Sequence, residues 1–149
     1  MGNLSATASS EIEAPIERVW EIVADIEGWP EWQATITEID VEERDAANRP
    51  ALCEVVFDAK VQTIRTVQRL HYESPHLLSF AQERGSLKSL TGSWRLEDLG
   101  DARTRATYAL DVEITGMLGM LVTGAVQDKL RQRLVDALPG ELKARAEHS

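Results

Sequence analysis

The chain has 149 residues, 43% hydrophobic and 28% charged. That is one domain's worth, residues 1–149, able to bury about two-thirds of its extended surface without disulfide or metal staples; disordered, collagen-like and coiled-coil compositions are excluded. Its 16 Lys and Arg against 25 Asp and Glu leave a net charge of −9, a field that repels nucleic acid and anionic lipid surfaces.

The N-terminus carries neither a basic segment nor an apolar run of the secretory kind, and Ala6 stands where a myristoylation signal would place Ser or Thr. Ser5 to Ala14 alternates weakly, which predicts a strand of small residues. Pro15 suits a first helical position, and Ile16, Val19, Trp20, Val23 and Ile26 follow at helical spacing until Gly28. Trp29-Pro30-Glu31-Trp32 reads as a second, short helix. Period-2 segments then predict strands over Thr35–Glu43, Ala51–Ala59, Val61–Tyr72, Leu77–Glu83, Leu90–Glu97 and Thr104–Ile114. Turns fall at Asp45–Pro50, Ser74–His76 and Leu99–Asp101. A long helix spans Leu118 to Glu147, its Leu118, Val122, Val126, Leu130, Leu134, Leu138 and Leu142 recurring every fourth residue. Such a stripe drifts about 40° per step and suits a curved surface. Pro139-Gly140 predicts a kink or break. The longest uncharged stretch, Ile114 to Gln127, is too short to span a bilayer, so a cytoplasmic protein without stable membrane association is expected.

Consecutive strands with helices at the ends predict an α+β fold: about seven antiparallel strands, two short helices after the first strand, and a closing C-terminal helix. Inward sheet positions are mixed in size. Ala6, Ala8, Gly92 and Ala106 are small, Phe57, Trp94 and Tyr108 are large, and Thr66 and Gln68 share a face with Ile64, Leu70 and Tyr72. Two readings follow. Either the core is filled and its polar groups satisfy each other, or the sheet encloses an apolar concavity with a few polar groups, as small-molecule sites have.

Ile12-Glu13-Ala14-Pro15-Ile16-Glu17-Arg18-Val19-Trp20 followed by Asp25-Ile26-Glu27-Gly28-Trp29-Pro30-Glu31-Trp32 carries a resemblance, as do Thr91–Leu96, Thr104–Tyr108 and Leu142–Glu147. The chain resembles the START/Bet v 1-like helix-grip (SRPBCC) superfamily, in particular its bacterial polyketide cyclase/dehydrase-like branch. The resemblance implies a curved sheet wrapped around a long C-terminal helix, with an elongated apolar cavity between them. A lipid, polyketide or isoprenoid type of ligand is then expected, bound or carried. An aromatase/cyclase using the same cavity is a second reading, and an interaction module with a filled core a third; the fold alone does not choose among them.

Few residues offer chemistry on their own. His71, His76 and His148 have no metal-ligand spacing, so no metal or cofactor is expected. Cys53, the one cysteine, sits in an apolar strand face and reads as a small buried residue. No phosphate-binding glycine loop and no G-x-S-x-G are present. The strand arginines read as solvated and paired with Glu54, Glu97 or Asp111 on the convex face. If Arg65 or Arg95 pointed inward, it could polarise a ligand carbonyl, with Tyr72 and Tyr108 beside it. Trp29 and Trp32 bracket the short helix at the expected cavity mouth. The expected cavity lining is Trp32, Phe57, Ile64, Thr66, Gln68, Trp94, Ala106, Tyr108, Leu110, Leu118, Leu121, Val122 and Val126. The glycine-hinged, Met-containing segment Gly116–Val122 reads either as ordinary packing or as a gate.

Overall fold

The computed structural model describes residues 2–60, 62–114 and 124–148. Seven strands form one antiparallel sheet: β1 (Gly2–Ile12), β2 (Ile36–Arg44), β3 (Pro50–Asp58), β4 (Thr63–Glu73), β5 (Leu77–Gly85), β6 (Ser89–Gly100) and β7 (Arg103–Ile114). Their spatial order is β1-β7-β6-β5-β4-β3-β2. The last six strands therefore run as a meander, and β1 closes onto β7 with Ala8 opposite Tyr108. Bulges in the β2–β3 and β4–β5 pairs let the sheet bend.

Between β1 and β2 lie α1 (Ile16–Ala24), a 3₁₀ turn (Ile26–Gly28) and α2 (Trp29–Trp32). Pro15 stands one position earlier than expected, as the N-cap, its carbonyl accepting from the Arg18 and Val19 amides. Helix α1 also stops sooner than its apolar spacing implied. Ile26 is fully buried but belongs to the tighter 3₁₀ turn, which redirects the chain so that α2 can lie over the sheet. The β6–β7 hairpin turns at Asp101 and Ala102, one step beyond the Leu99–Asp101 expected; both have positive φ, as a two-residue primed turn requires.

The C-terminal helix runs over 124–147 in three pieces: α3 (Gly124–Arg131), a π turn (Gln132–Asp136) and α4 (Leu138–Glu147). The expected break at Pro139 takes this form. Proline has no N–H for the carbonyl one turn back, and its ring would press on it. The wider turn instead lets Ala137 N–H donate to the Gln132 carbonyl at 3.0 Å, and Glu141 N–H then picks up Ala137 at 3.1 Å. Leu130, Leu134, Val135, Leu138 and Leu142 are buried against the concave sheet face, with α1 packed at one end through Ile16, Val19, Ile22 and Val23. The expected helix start at Leu118 and the Gly116–Val122 segment lie outside the described residues. No helix among the described residues is long and apolar enough to cross a membrane.

Candidate functional site

The concave face and the C-terminal helix do not meet everywhere. Between them is a cavity of ≈ 40 Å³. The sheet supplies Val55, Phe57, Gln68, Phe80, Leu90, Trp94, Tyr108 and Leu110; the helix supplies Leu134 and Leu138; Trp29, Gln33, Thr35 and Ile36 close one end. One water needs about 10–15 Å³ on this measure, so the space holds about three. Phe57 and Leu134 separate it from a smaller void of ≈ 10 Å³ lined by Ile64, Leu130 and Ile114 among others. Outside the mouth, Thr35 also borders an open groove of ≈ 250 Å³ with Lys129, Gln132, Arg133, Ala137 and Glu141.

A chain of rings forms one wall. Trp94 and Tyr108 are direct cross-strand partners with ring centroids 4.7 Å apart. Tyr108 stacks on Phe80 at 6.2 Å, and Phe80 meets the edge of Trp29 at 6.2 Å. Trp32 lies behind Trp94 at 5.9 Å and faces an outer groove, so it backs the cavity wall without lining it. Trp29 is held in place by its indole N–H, which donates to the Val23 carbonyl at 2.9 Å.

Three lining residues keep a buried polar atom without a partner among the described residues: Trp94 Nε1, Gln33 Nε2 and Gln68 Oε1. Gln68 Nε2 donates to Thr66 Oγ1 at 2.7 Å, so Thr66 serves the cavity through Gln68. Whichever way that amide is turned, one of its polar atoms bonds Thr66 and the other stays unpaired.

Of the expected lining, Phe57, Gln68, Trp94, Tyr108 and Leu110 come together at the main cavity, and Ile64 lines the smaller void. Ala106 is fully buried in the core, and Val126 packs against it, but neither borders the main cavity. Leu118, Leu121 and Val122 lie outside the described residues. Absent from the expected lining were Trp29, Gln33, Thr35, Ile36, Val55, Phe80, Leu90, Leu134 and Leu138. Gln33 precedes the predicted strand, where no pattern marks an inward side chain, and a bulge between Ile36 and Glu38 upsets the alternation that would have placed Ile36.

The strand arginines take the outer face, as read from the sequence, and the inward alternative for Arg65 and Arg95 is corrected. Arg65 and Arg95 are both exposed, and Arg65 reaches Glu54 at 3.5 Å, because alternation along β4 and β6 gives the inward positions to their neighbours. The other strand arginines likewise make outer-face pairs, Arg69 with Glu83 and Glu43, Arg84 with Glu42, and Arg105 with Glu11 and Glu97. Tyr72 is half-buried away from the cavity; its hydroxyl donates to the Pro50 carbonyl at 2.5 Å, and Arg49 sits over its ring. Among the described residues Tyr108 is the one titratable side chain in the main lining, and burial pushes its phenol well above the ordinary range, keeping it a neutral hydroxyl. Cys53 is buried, and burial, then Glu27, push its thiol up to about 12. Among the described residues no cluster of His, Cys, Asp and Glu could hold a metal ion.

The family described as polyketide cyclase / dehydrase and lipid transport matches residues 12–138. The chain belongs to that family. It has the START-like helix-grip fold, in the polyketide cyclase-like branch of the SRPBCC superfamily. A START superfamily protein from Mycobacterium smegmatis is 21% identical, with 97% of each chain covered and a TM-score of 0.83. A protein from Thermus thermophilus is 22% identical over 98% of this chain and 97% of its own, TM-score 0.81. The Zhui aromatase/cyclase from a Streptomyces species is 16% identical over 98% of this chain and 94% of its own, TM-score 0.81. At such identities the likeness is one of fold. No curated protein matches the sequence.

Proposed function

We propose that this family member binds a small, mostly apolar molecule between its curved sheet and C-terminal helix, and holds it without changing it chemically. The observation that carries this reading is the lining of the cavity: apolar and aromatic walls, a few amide and hydroxyl groups, and no charged side chain among the described residues. That mixture suits recognition of a hydrophobic guest. Acid–base catalysis needs a positioned proton donor and acceptor, and the only titratable candidate among the described lining residues, Tyr108, is held neutral. A guest larger than about three waters must widen the space, which is bounded by the helix through Leu134 and Leu138 and by the Gln33–Ile36 segment at the mouth.

The family description and the Zhui neighbour support a second reading, a cyclase-type reaction in the same cavity. In it, Tyr108 would hydrogen-bond a ligand carbonyl. Native mass spectrometry of protein purified from cells, followed by denaturing extraction, tests both. A non-covalent adduct released unchanged supports binding. A released molecule that the fresh protein converts, and Tyr108→Phe binds but does not convert, supports the cyclase. Protein that carries no adduct and takes up no added hydrophobe overturns both and leaves a filled scaffold.

A further inference from the structure

Deepening the ligand-binding reading, on which it rests, we infer that the indole N–H of Trp94 and the side-chain amide of Gln33 are the groups that select the guest, and that they select a neutral molecule bearing an acceptor oxygen of the carbonyl kind. A tryptophan N–H can only donate. In Trp94 it is wholly buried and finds no acceptor among the described residues. The other lining tryptophan shows that the fold can satisfy such a group, since Trp29 donates to Val23 at 2.9 Å. Gln33, 3% exposed, presents a second unpaired donor from the segment after α2, while its backbone N–H is already committed to Trp29. The residues that carry these donors border one cavity, Trp94 in the sheet wall and Gln33 at the mouth.

A buried donor left unpaired is costly, and water in the cavity can relieve it. A hydrocarbon guest expels that water and returns nothing to the two N–H groups. A guest with a carbonyl oxygen replaces the lost bond as it replaces the water. A carboxylate could also accept, but it would be buried with no cation among the described lining residues, a larger penalty. Gln68 adds one more free amide atom, which accepts as placed and would meet a hydroxyl on the same guest.

Three nearly isosteric probes separate these cases: acetophenone, ethylbenzene and benzoate, titrated at pH 7 with ligand-observed NMR. Acetophenone should bind about tenfold tighter than ethylbenzene, the order of discrimination that one satisfied buried donor provides, and benzoate weakest of all. Acetophenone should also move the Trp94 indole N–H resonance, assigned with Trp94→Phe, while ethylbenzene leaves it unmatched. Gln33→Leu, a substitution at the mouth that removes no packed ring, should reduce the acetophenone advantage to about threefold or less, with ethylbenzene binding as tightly or tighter because the donor it strands is gone. Equal affinities for acetophenone and ethylbenzene, or tightest binding of benzoate, would overturn the inference and leave the cavity reading intact. No binding of any probe would remove both.

Discussion

Gly92 stands opposite Phe80 across β5 and β6, and the phenyl ring covers the place where a Cβ would sit, with the Ala109 carbonyl 3.0 Å away on the other side. A glycine here lets an aromatic ring lie flat on the strand, and that ring is part of the cavity wall. In Gly92→Ala the ring has to swing toward Tyr108, its stacking partner at 6.2 Å, and into the cavity. We expect a loss of about 1–3 kcal/mol in urea unfolding, the usual range for forcing a methyl into a packed site, together with loss of probe binding. An unchanged urea midpoint with normal binding would mean that the ring moves freely. The sequence marks Gly92 as a small inward position, but not that Phe80 is what fills it. Cross-strand register depends on bulges, such as the one between Val67 and Gln68, that no periodicity announces. Gln33 was less legible still, since a loop side chain is turned inward only by the packing around it.

The C-terminal helix was legible through its leucines. A four-residue repeat drifts around an α-helix, and the π turn over Gln132–Asp136 takes back part of that drift, so that Leu134 and Leu138 both face the cavity. The sequence points to Pro139 as a disturbance but does not say that a wider turn would absorb it. At the same level Glu141 ties the helix to the mouth, its Oε2 accepting the Ala34 N–H at 3.0 Å. Burial raises the Glu141 carboxyl above its ordinary 4.5, outweighing the Ala34 N–H and Arg133, which lower it. The folded state thus holds this proton more tightly than the unfolded state. The contribution is fully present below pH 4.5 and is lost as pH rises through the folded value. Glu141→Gln keeps an acceptor for Ala34 and sheds the charge. At pH 7 it should be as stable as the parent or slightly more so, by less than about 1 kcal/mol because the group is partly solvated. The gap should close in urea titrations at about pH 3.5 or below, where both side chains are uncharged. A variant clearly weaker than the parent at pH 7 would show that the charge on Glu141, not its acceptor oxygen, holds the mouth.

Among the described residues charge and cavity are kept apart: Arg65, Arg69, Arg84 and Arg105 make their ion pairs on the outer face, and the main cavity has none. Alternation makes that division readable in advance, since β4 places Arg65 and Arg69 outward and Thr66 and Gln68 inward. The size of the space was not readable, because it depends on where facing side chains fall short of one another. At ≈ 40 Å³ the cavity sets up a test of the molecule as a whole. A guest that binds only the folded state stabilises it by about 2.7 kcal/mol at a hundred times its Kd, whatever the local geometry. For a chain of this length that is a rise in melting temperature of roughly 5–10 °C. If the helix is the wall that yields, hydrogen exchange should be uneven. Amides of β6 and β7 should gain the full protection of the stabilised fold. Those of Gln132–Leu138, displaced outward and already in a wider turn, should gain less or lose some. Acetophenone at saturating concentration, read by melting and by exchange on one sample, gives both numbers. Uniform protection along the sheet and helix would mean that the guest enters without moving Leu134 and Leu138, and the widening would then have to come from the Gln33–Ile36 segment at the mouth.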